Sequence, residues 1–173
     1  MCASAKVDKL MIVAHPDDEA IFGGGALVSE PGWKVICLAN GSSRTRSREF
    51  RKAMEYAGAD GEIWDYPDVY GGSFDKERVE EDLREVLDSK RFYRVVTHNP
   101  KGEYGHTQHK ALSRIVRGMH VENLHFFGTA DTPLPFHVLR RKLNLLNIYA
   151  SQHFVIEQLM DYILYESIVP ADS

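Results

Sequence analysis

His15-Pro16-Asp17-Asp18-Glu19 follows a short apolar run and places four ionisable groups in five positions. A turn alone does not require that density of hydrogen-bonding groups. A histidine and a carboxylate are ligand types that Zn²⁺ accepts, and a second carboxylate beside them suits a base acting on water. A catalytic zinc needs a third protein ligand. Further along, Thr97-His98-Asn99-Pro100 leads through Gly102-Glu103-Tyr104-Gly105 to His106-Thr107-Gln108-His109. His106 and His109 are spaced i, i+3, so on one helical turn they face the same way. Each part alone has a plainer explanation: Asp17 to Glu19 as an N-cap with first-turn acids, His-x-x-His as solvent-facing residues at a helix start. Together, at the ends of two strands, they point to one shared site.

The elements that must position these groups follow from periodicity. Apolar runs at 10–14, 34–38, 62–66, 94–97 and 124–127 read as strands, and helical patterns cover 18–29, 46–57, 75–87 and 106–119. Strict alternation of strand and helix predicts an α/β fold, a three-layer Rossmann-like domain with a mostly parallel sheet of about five strands. In such a sheet the first and fourth strands can lie side by side, and chemistry usually gathers at the carboxyl ends of the strands. Gly23-Gly24-Gly25 is poor helix material and implies a close backbone approach. It lacks G-x-G-x-x-G and G-K-[ST], which argues against a nucleotide-binding loop. The tail carries a basic-apolar segment at 139–146, then Tyr149-Ala150-Ser151-Gln152 and a final helix over about 154–165.

Composition sets the outer bounds. The 173 residues read as a single domain spanning 1–173, and 43% hydrophobic with 27% charged residues is a globular balance. A formal charge of −4 leaves no net positive field for nucleic acid or anionic lipid. Arg140-Arg141-Lys142 offers at most a weak contact to an anionic surface. The start of the chain has no apolar signal-like run, and no stretch of about 18 apolar residues occurs, so no stable membrane insertion is expected. Cys2 and Cys37 are too far apart in character to suggest a disulfide framework. These features predict a cytoplasmic protein; oligomeric state is left open. His120, His125, His137 and His153 have no ligand-like spacing and read as structural or surface residues.

With His-Pro-Asp-Asp-Glu and Gly-His-x-x-His on the page, the chain resembles the PIG-L/LmbE-like family of zinc-dependent N-acetylglucosaminyl de-N-acetylases. Arg46-x-x-Glu49 and Tyr149-x-Ser151-Gln152 are similar to two further elements of that family. The resemblance implies that His15, Asp18 and His109 hold one Zn²⁺, with Fe²⁺ or another divalent metal as alternatives. It further implies that Asp17 is the general base and that His106 is the catalytic histidine, as oxyanion stabiliser or proton donor. Arg46 and Asp68 resemble residues that hold sugar hydroxyls, and Trp64, Tyr70 and Tyr104 offer stacking faces. Glu19 and His98 are candidates for orienting the ligand imidazoles. Thr107-Gln108 replaces the commoner Pro-Asp and is expected to touch no ligand. The implied activity is removal of the N-acetyl group from an N-acetylglucosamine-type sugar on a glycan or conjugate. A deacylase of another small amide and a catalytically silent sugar-binding module are the alternatives.

Overall fold

The computed structural model describes residues 6–172, so Cys2 lies outside the described residues. Its centre is a six-stranded sheet. β1 (Lys9–Val13), β2 (Trp33–Ala39), β3 (Asp60–Tyr66), β4 (Arg94–Thr97), β5 (Leu124–Thr129) and β6 (Glu166–Pro170) are arranged in the order β3-β2-β1-β4-β5-β6. The first five run parallel, with Ile12 of β1 level with Ile36 on one side and Thr97 on the other. Every residue of β1 is buried, as expected of a central strand covered on both faces.

Side-chain alternation divides the apolar residues between two layers. Met11, Val13, Val35 and Cys37 point into one core, and Leu10, Ile12, Ile36 and Leu38 into the other. The first core is covered by α1 (Asp18–Ser29), α2 (Arg44–Ala57) and the C-terminal helices; the second by α3 (Lys76–Ser89) and α4 (Thr107–Gly118). Three helix boundaries have simple causes. Ser43 accepts the Arg46 N–H and Asp75 the Arg78 N–H as N-caps, and α2 ends at Gly58 with φ 68°.

The three glycines of α1 are explained by what packs on them. A Cβ at Gly23 would lie 2.6 Å from the Met11 methyl, one at Gly24 3.0 Å from Lys142 Cγ, and one at Gly25 3.0 Å from the Glu166 carboxylate. That carboxylate accepts the Gly25 and Ala26 N–H groups at 2.7 and 2.9 Å, and the Lys142 ammonium donates to it at 2.7 Å. Lys142 is wholly buried, and burial pulls its pKa below the ordinary lysine value. The expected surface triad Arg140-Arg141-Lys142 is therefore only a pair. Its lysine is spent inside, on the carboxylate that ties α1 to β6.

The tail departs from expectation in two ways. The sheet has six strands rather than about five, because β6 pairs antiparallel with β5 at the edge. Beyond α5 (Phe136–Leu146) and a 3₁₀ turn (Ala150–Gln152), the expected helix over 154–165 is two short ones, α6 (His153–Glu157) and α7 (Met160–Leu164). Leu159, at φ −113° and ψ 25°, breaks them apart while its side chain packs into the core. No helix among the described residues is long and apolar enough to cross a membrane. Cys37 is buried and free, and burial raises its thiol pKa.

Candidate active site

The site forms where the strand order reverses, between β1 and β4, as the doubly wound topology dictates. Thr97 clasps the two strands there, its hydroxyl donating to Ile12 O at 2.8 Å. After β1 the chain turns tightly, with Asp18 Oδ2 accepting the His15 N–H at 2.8 Å. Asp17 sits at φ 129°, a backbone conformation that L residues rarely adopt. Its carbonyl opens α1, accepting from Ala20 and Ile21.

This turn and the start of α4 bring the histidines together. Two sets of ligand atoms converge, His15 with His106 and His109, and Asp18 with His98 and His109, each set within 4.8 Å. Asp18 Oδ2 lies 3.3 Å from His15 Nδ1 and 3.3 Å from His109 Nε2. Ligands about 2.0–2.1 Å from a shared tetrahedral ion stand about 3.3 Å apart. His109 Nε2 is buried and makes no hydrogen bond among the described residues, so its lone pair is available. His98 Nε2 is also near Asp18, but it accepts the Ala14 N–H at 3.1 Å and is already used.

Glu103, not singled out in the sequence, organises the histidines from behind. Its Oε2 faces His109 Nδ1 at 2.7 Å and His98 Nδ1 at 2.9 Å, while its Oε1 accepts the Asn99 N–H. Burial would raise its pKa, but the two imidazoles hold it down to about 2. With Nδ1–H committed to Glu103, His109 turns Nε2 toward Asp18, the carboxylate–histidine arrangement common behind metal ligands. The sequence shows only the glycines on either side of Glu103; the structure shows a left-handed loop in which Gly102, Glu103 and Gly105 all have positive φ. His98 stacks on His109 with ring centroids 3.8 Å apart, so it supports the imidazole by packing and through Glu103.

Glu19 does not orient an imidazole. Wholly buried, it accepts the Asp17 N–H and the Tyr149 hydroxyl, and burial pushes its pKa up to about 7. Its role is to hold the strained Asp17 turn. The expectation that Gln108 touches none of the implied ligands is also corrected, since its Oε1 lies 2.9 Å from Nε2 of His15, one of those residues. The amide is long enough to reach across from α4.

Electrostatics favour a cation at this point. Burial alone would lower the His15 pKa, but Asp18 and Asp68 beside it carry it up to about 10. Asp17 is pushed well above the usual carboxylate range by burial and the Asp18 charge, with Arg46 opposing. Burial and the neighbouring His109 and His15 depress His106 to about 4, and its buried Nδ1 makes no hydrogen bond among the described residues.

A cleft of about 180 Å³ opens over these groups, and His15, Asp17, Asp18 and His106 line it together with Arg46, Asp68 and Tyr104. Arg46 Nη2 donates to Pro16 O at 2.6 Å and stands 3.5 Å from Asp17 Oδ2. Asp68 accepts from Asn40 at 2.9 Å and faces His15 Nε2 at 3.4 Å. Of the three aromatic candidates only Tyr104 lines the cleft. Trp64 belongs to a separate groove with Arg78 and Asp82, and Tyr70 projects into solvent. The far wall comes from Gln152, Val155 and Leu159. It is pinned by Glu49, whose carboxylate accepts the Ser151 N–H at 2.9 Å and hydroxyl at 2.6 Å, so Arg46-x-x-Glu49 and Ser151-Gln152 form one unit.

The family described as PIG-L, GlcNAc-PI de-N-acetylase, matches residues 10–120, which include both histidine motifs. The chain belongs to the PIG-L family. A relative from Acanthamoeba polyphaga mimivirus, named Uncharacterized protein L374, is 39% identical, covering 94% of this chain and 79% of that one. The N-acetylglucosaminyl-phosphatidylinositol de-N-acetylase of Bos taurus is 26% identical, covering 82% of this chain and 62% of its own length. Among solved structures, the N,N'-diacetylchitobiose deacetylase from Pyrococcus horikoshii superposes with TM-score 0.70 at 16% identity, covering 94% of this chain and 84% of that one. GalB, the 4-carboxy-2-hydroxymuconate hydratase of Pseudomonas putida KT2440, gives TM-score 0.70 at 19% identity, covering 95% and 96%. These two likenesses show the PIG-L chain's fold, and the fold alone serves more than one chemistry.

Proposed function

We propose that this PIG-L family member is a cytoplasmic, zinc-dependent hydrolase that removes the N-acetyl group from an N-acetylglucosamine-type sugar on a glycan or conjugate, releasing acetate. One observation carries the reading. Asp18 Oδ2 stands 3.3 Å from both His15 Nδ1 and His109 Nε2, and the latter is buried with no hydrogen bond among the described residues. This donor set, one carboxylate and two imidazoles, is of the kind zinc takes in catalytic sites. Zinc bound there would acidify water and polarise the acetyl carbonyl.

The chain's own residues do the rest. Asp17, lining the cleft and with its proton affinity raised, takes a proton from water as the oxygen adds to the acetyl carbon. The C–N bond then breaks, the amine leaves with the proton returned by Asp17, and acetate remains. Arg46, 3.5 Å from Asp17, keeps that carboxylate turned to the cleft. His106 enters as a neutral imidazole and donates an N–H to the carbonyl oxygen, where negative charge develops. Arg46 and Asp68 present a donor and an acceptor to sugar hydroxyls, and Tyr104 offers a ring face.

The test is acetate release from N-acetylglucosamine and short chito-oligosaccharides, with protein analysed for metal before and after chelation. Release that stops on chelation and returns with Zn²⁺ is the expected outcome. Failure on these sugars by fully metallated protein, with turnover of another acylated amide instead, would replace the sugar. A protein that takes up no metal would overturn the reading.

A further inference from the structure

Gln108 is wholly buried, and every polar atom of its side chain is used. Its Nε2 donates to Pro67 O at 2.8 Å, with Ser73 O at 3.5 Å. Two carbonyls can only accept, so the amide orientation is determined and Oε1 must be the atom that faces His15 Nε2 at 2.9 Å. An amide oxygen cannot donate, so His15 must keep its proton on Nε2. Its Nδ1 is then the nitrogen left to face Asp18 Oδ2, at 3.3 Å.

Pro67 and Ser73 belong to the segment between β3 and α3. That segment carries Asp68, which lines the cleft and itself faces His15 Nε2 at 3.4 Å. One side chain thus bonds to the end of β1 and to a loop that forms a cleft wall. A carboxylate at the same position could accept from His15 but has no N–H for the carbonyls, so the tie to the loop depends on an amide.

We propose that Gln108 is a positioning residue with two separable roles: it selects Nδ1 as the His15 atom presented to the metal, and it anchors the 67–73 segment to that imidazole. The first role rests on the metal centre proposed above; the second does not. Cleft shape and metal-ligand orientation are thereby coupled through one amide, and Asp68 is held in register with His15.

Two variants separate the roles. Gln108→Leu keeps the bulk and loses both sets of bonds, whereas Gln108→Glu keeps the acceptor for His15 and loses the donors. Zinc affinity is measured by competition with a chromophoric chelator, and amide hydrogen exchange over 67–75 is followed in the metal-free protein. The leucine variant is expected to bind zinc about 10- to 100-fold more weakly, the usual cost of losing a ligand's hydrogen-bond partner. The glutamate variant is expected to recover most of that affinity, while exchange over 67–75 is faster than in the unaltered protein in both. In ¹⁵N-histidine-labelled, zinc-loaded protein, a protected His15 Nε2–H is expected with glutamine or glutamate and not with leucine.

Wild-type zinc affinity in Gln108→Leu would overturn the first role, as would an equal loss in both variants. Unchanged exchange over 67–75 would overturn the second. His109→Ala serves as the control on the underlying reading: if it binds zinc as the unaltered protein does, the metal centre fails, and the anchoring role is still decided by exchange.

Discussion

The backbone at Asp17 yields a prediction whose sign is unusual. Replacing a residue by glycine rather than alanine ordinarily costs about 0.5–1 kcal/mol, because glycine has more freedom to lose on folding. At Asp17 the φ of 129° with ψ −28° reverses the preference, since a Cβ in that region is strained by roughly 1–3 kcal/mol. Asp17→Gly and Asp17→Ala both remove the carboxylate and its contact with Arg46, so their difference isolates the backbone. Taking the middle of each range, about 2 kcal/mol of strain less about 0.75 kcal/mol of entropy leaves the glycine variant ahead by about 1.25 kcal/mol. For a chain of this length that is roughly 2–6 °C in Tm. Calorimetry on chelator-treated protein measures it without interference from bound metal. Both variants are expected to lose turnover, so the more stable of the two is an inactive enzyme. An alanine variant as stable as the glycine variant, or more so, would refute the strain argument.

His109→Ala is expected to abolish stoichiometric zinc binding, whereas His106→Ala keeps the metal and loses most turnover; equal metal loss in both, read by elemental analysis, would make His106 a ligand. Lys142→Met leaves the Glu166 carboxylate buried without its cation and should cost about 3–5 kcal/mol, roughly 8–15 °C in Tm, with partial recovery in the double variant with Glu166→Gln. A single variant within 1 °C of the parent would mean that solvent reaches the pair. Burial and the Asp82 carboxylate raise the Tyr66 hydroxyl pKa above its ordinary value. The folded chain then holds that proton longer than the unfolded one, so the contribution is whole below about pH 10 and is lost as pH rises beyond it. Urea midpoints should therefore fall less steeply above about pH 9.5 in Tyr66→Phe than in the parent, and parallel curves would contradict the assignment.

Much of this arrangement was legible from side-chain type and spacing. The acids at Asp18 and Glu19 mark the start of α1, and the parallel order follows from alternation of element types, which brings His15 and His109 to adjacent strand ends. What was not legible depends on reach rather than type. Glu103 matters because a left-handed loop returns its carboxylate to two imidazoles at once. Gln108 carries no ionisable group and so looked inert, although its length lets it touch His15. Glu19, adjacent to the metal-type residues in sequence, is committed instead to Tyr149 on the other side of α1. β6 was missed because a five-residue antiparallel edge strand following a helical pattern has no periodicity long enough to separate it.

The Glu49–Ser151 contact has a consequence for how such a protein changes over time. The family match ends at residue 120, yet Gln152, Val155 and Leu159 form a wall of the cleft. The groups proposed to break the amide thus lie within the matched stretch, one wall of the cleft lies beyond it, and one carboxylate from α2 holds the second stretch against the first. Of the wall residues, Gln152 and Val155 stand outside the core and touch none of His15, Asp18 and His109 by hydrogen bond or ion pair among the described residues, so their exchange leaves those three in place. A lineage, or an engineer, can therefore retune admission to the cleft while leaving its reactive centre intact.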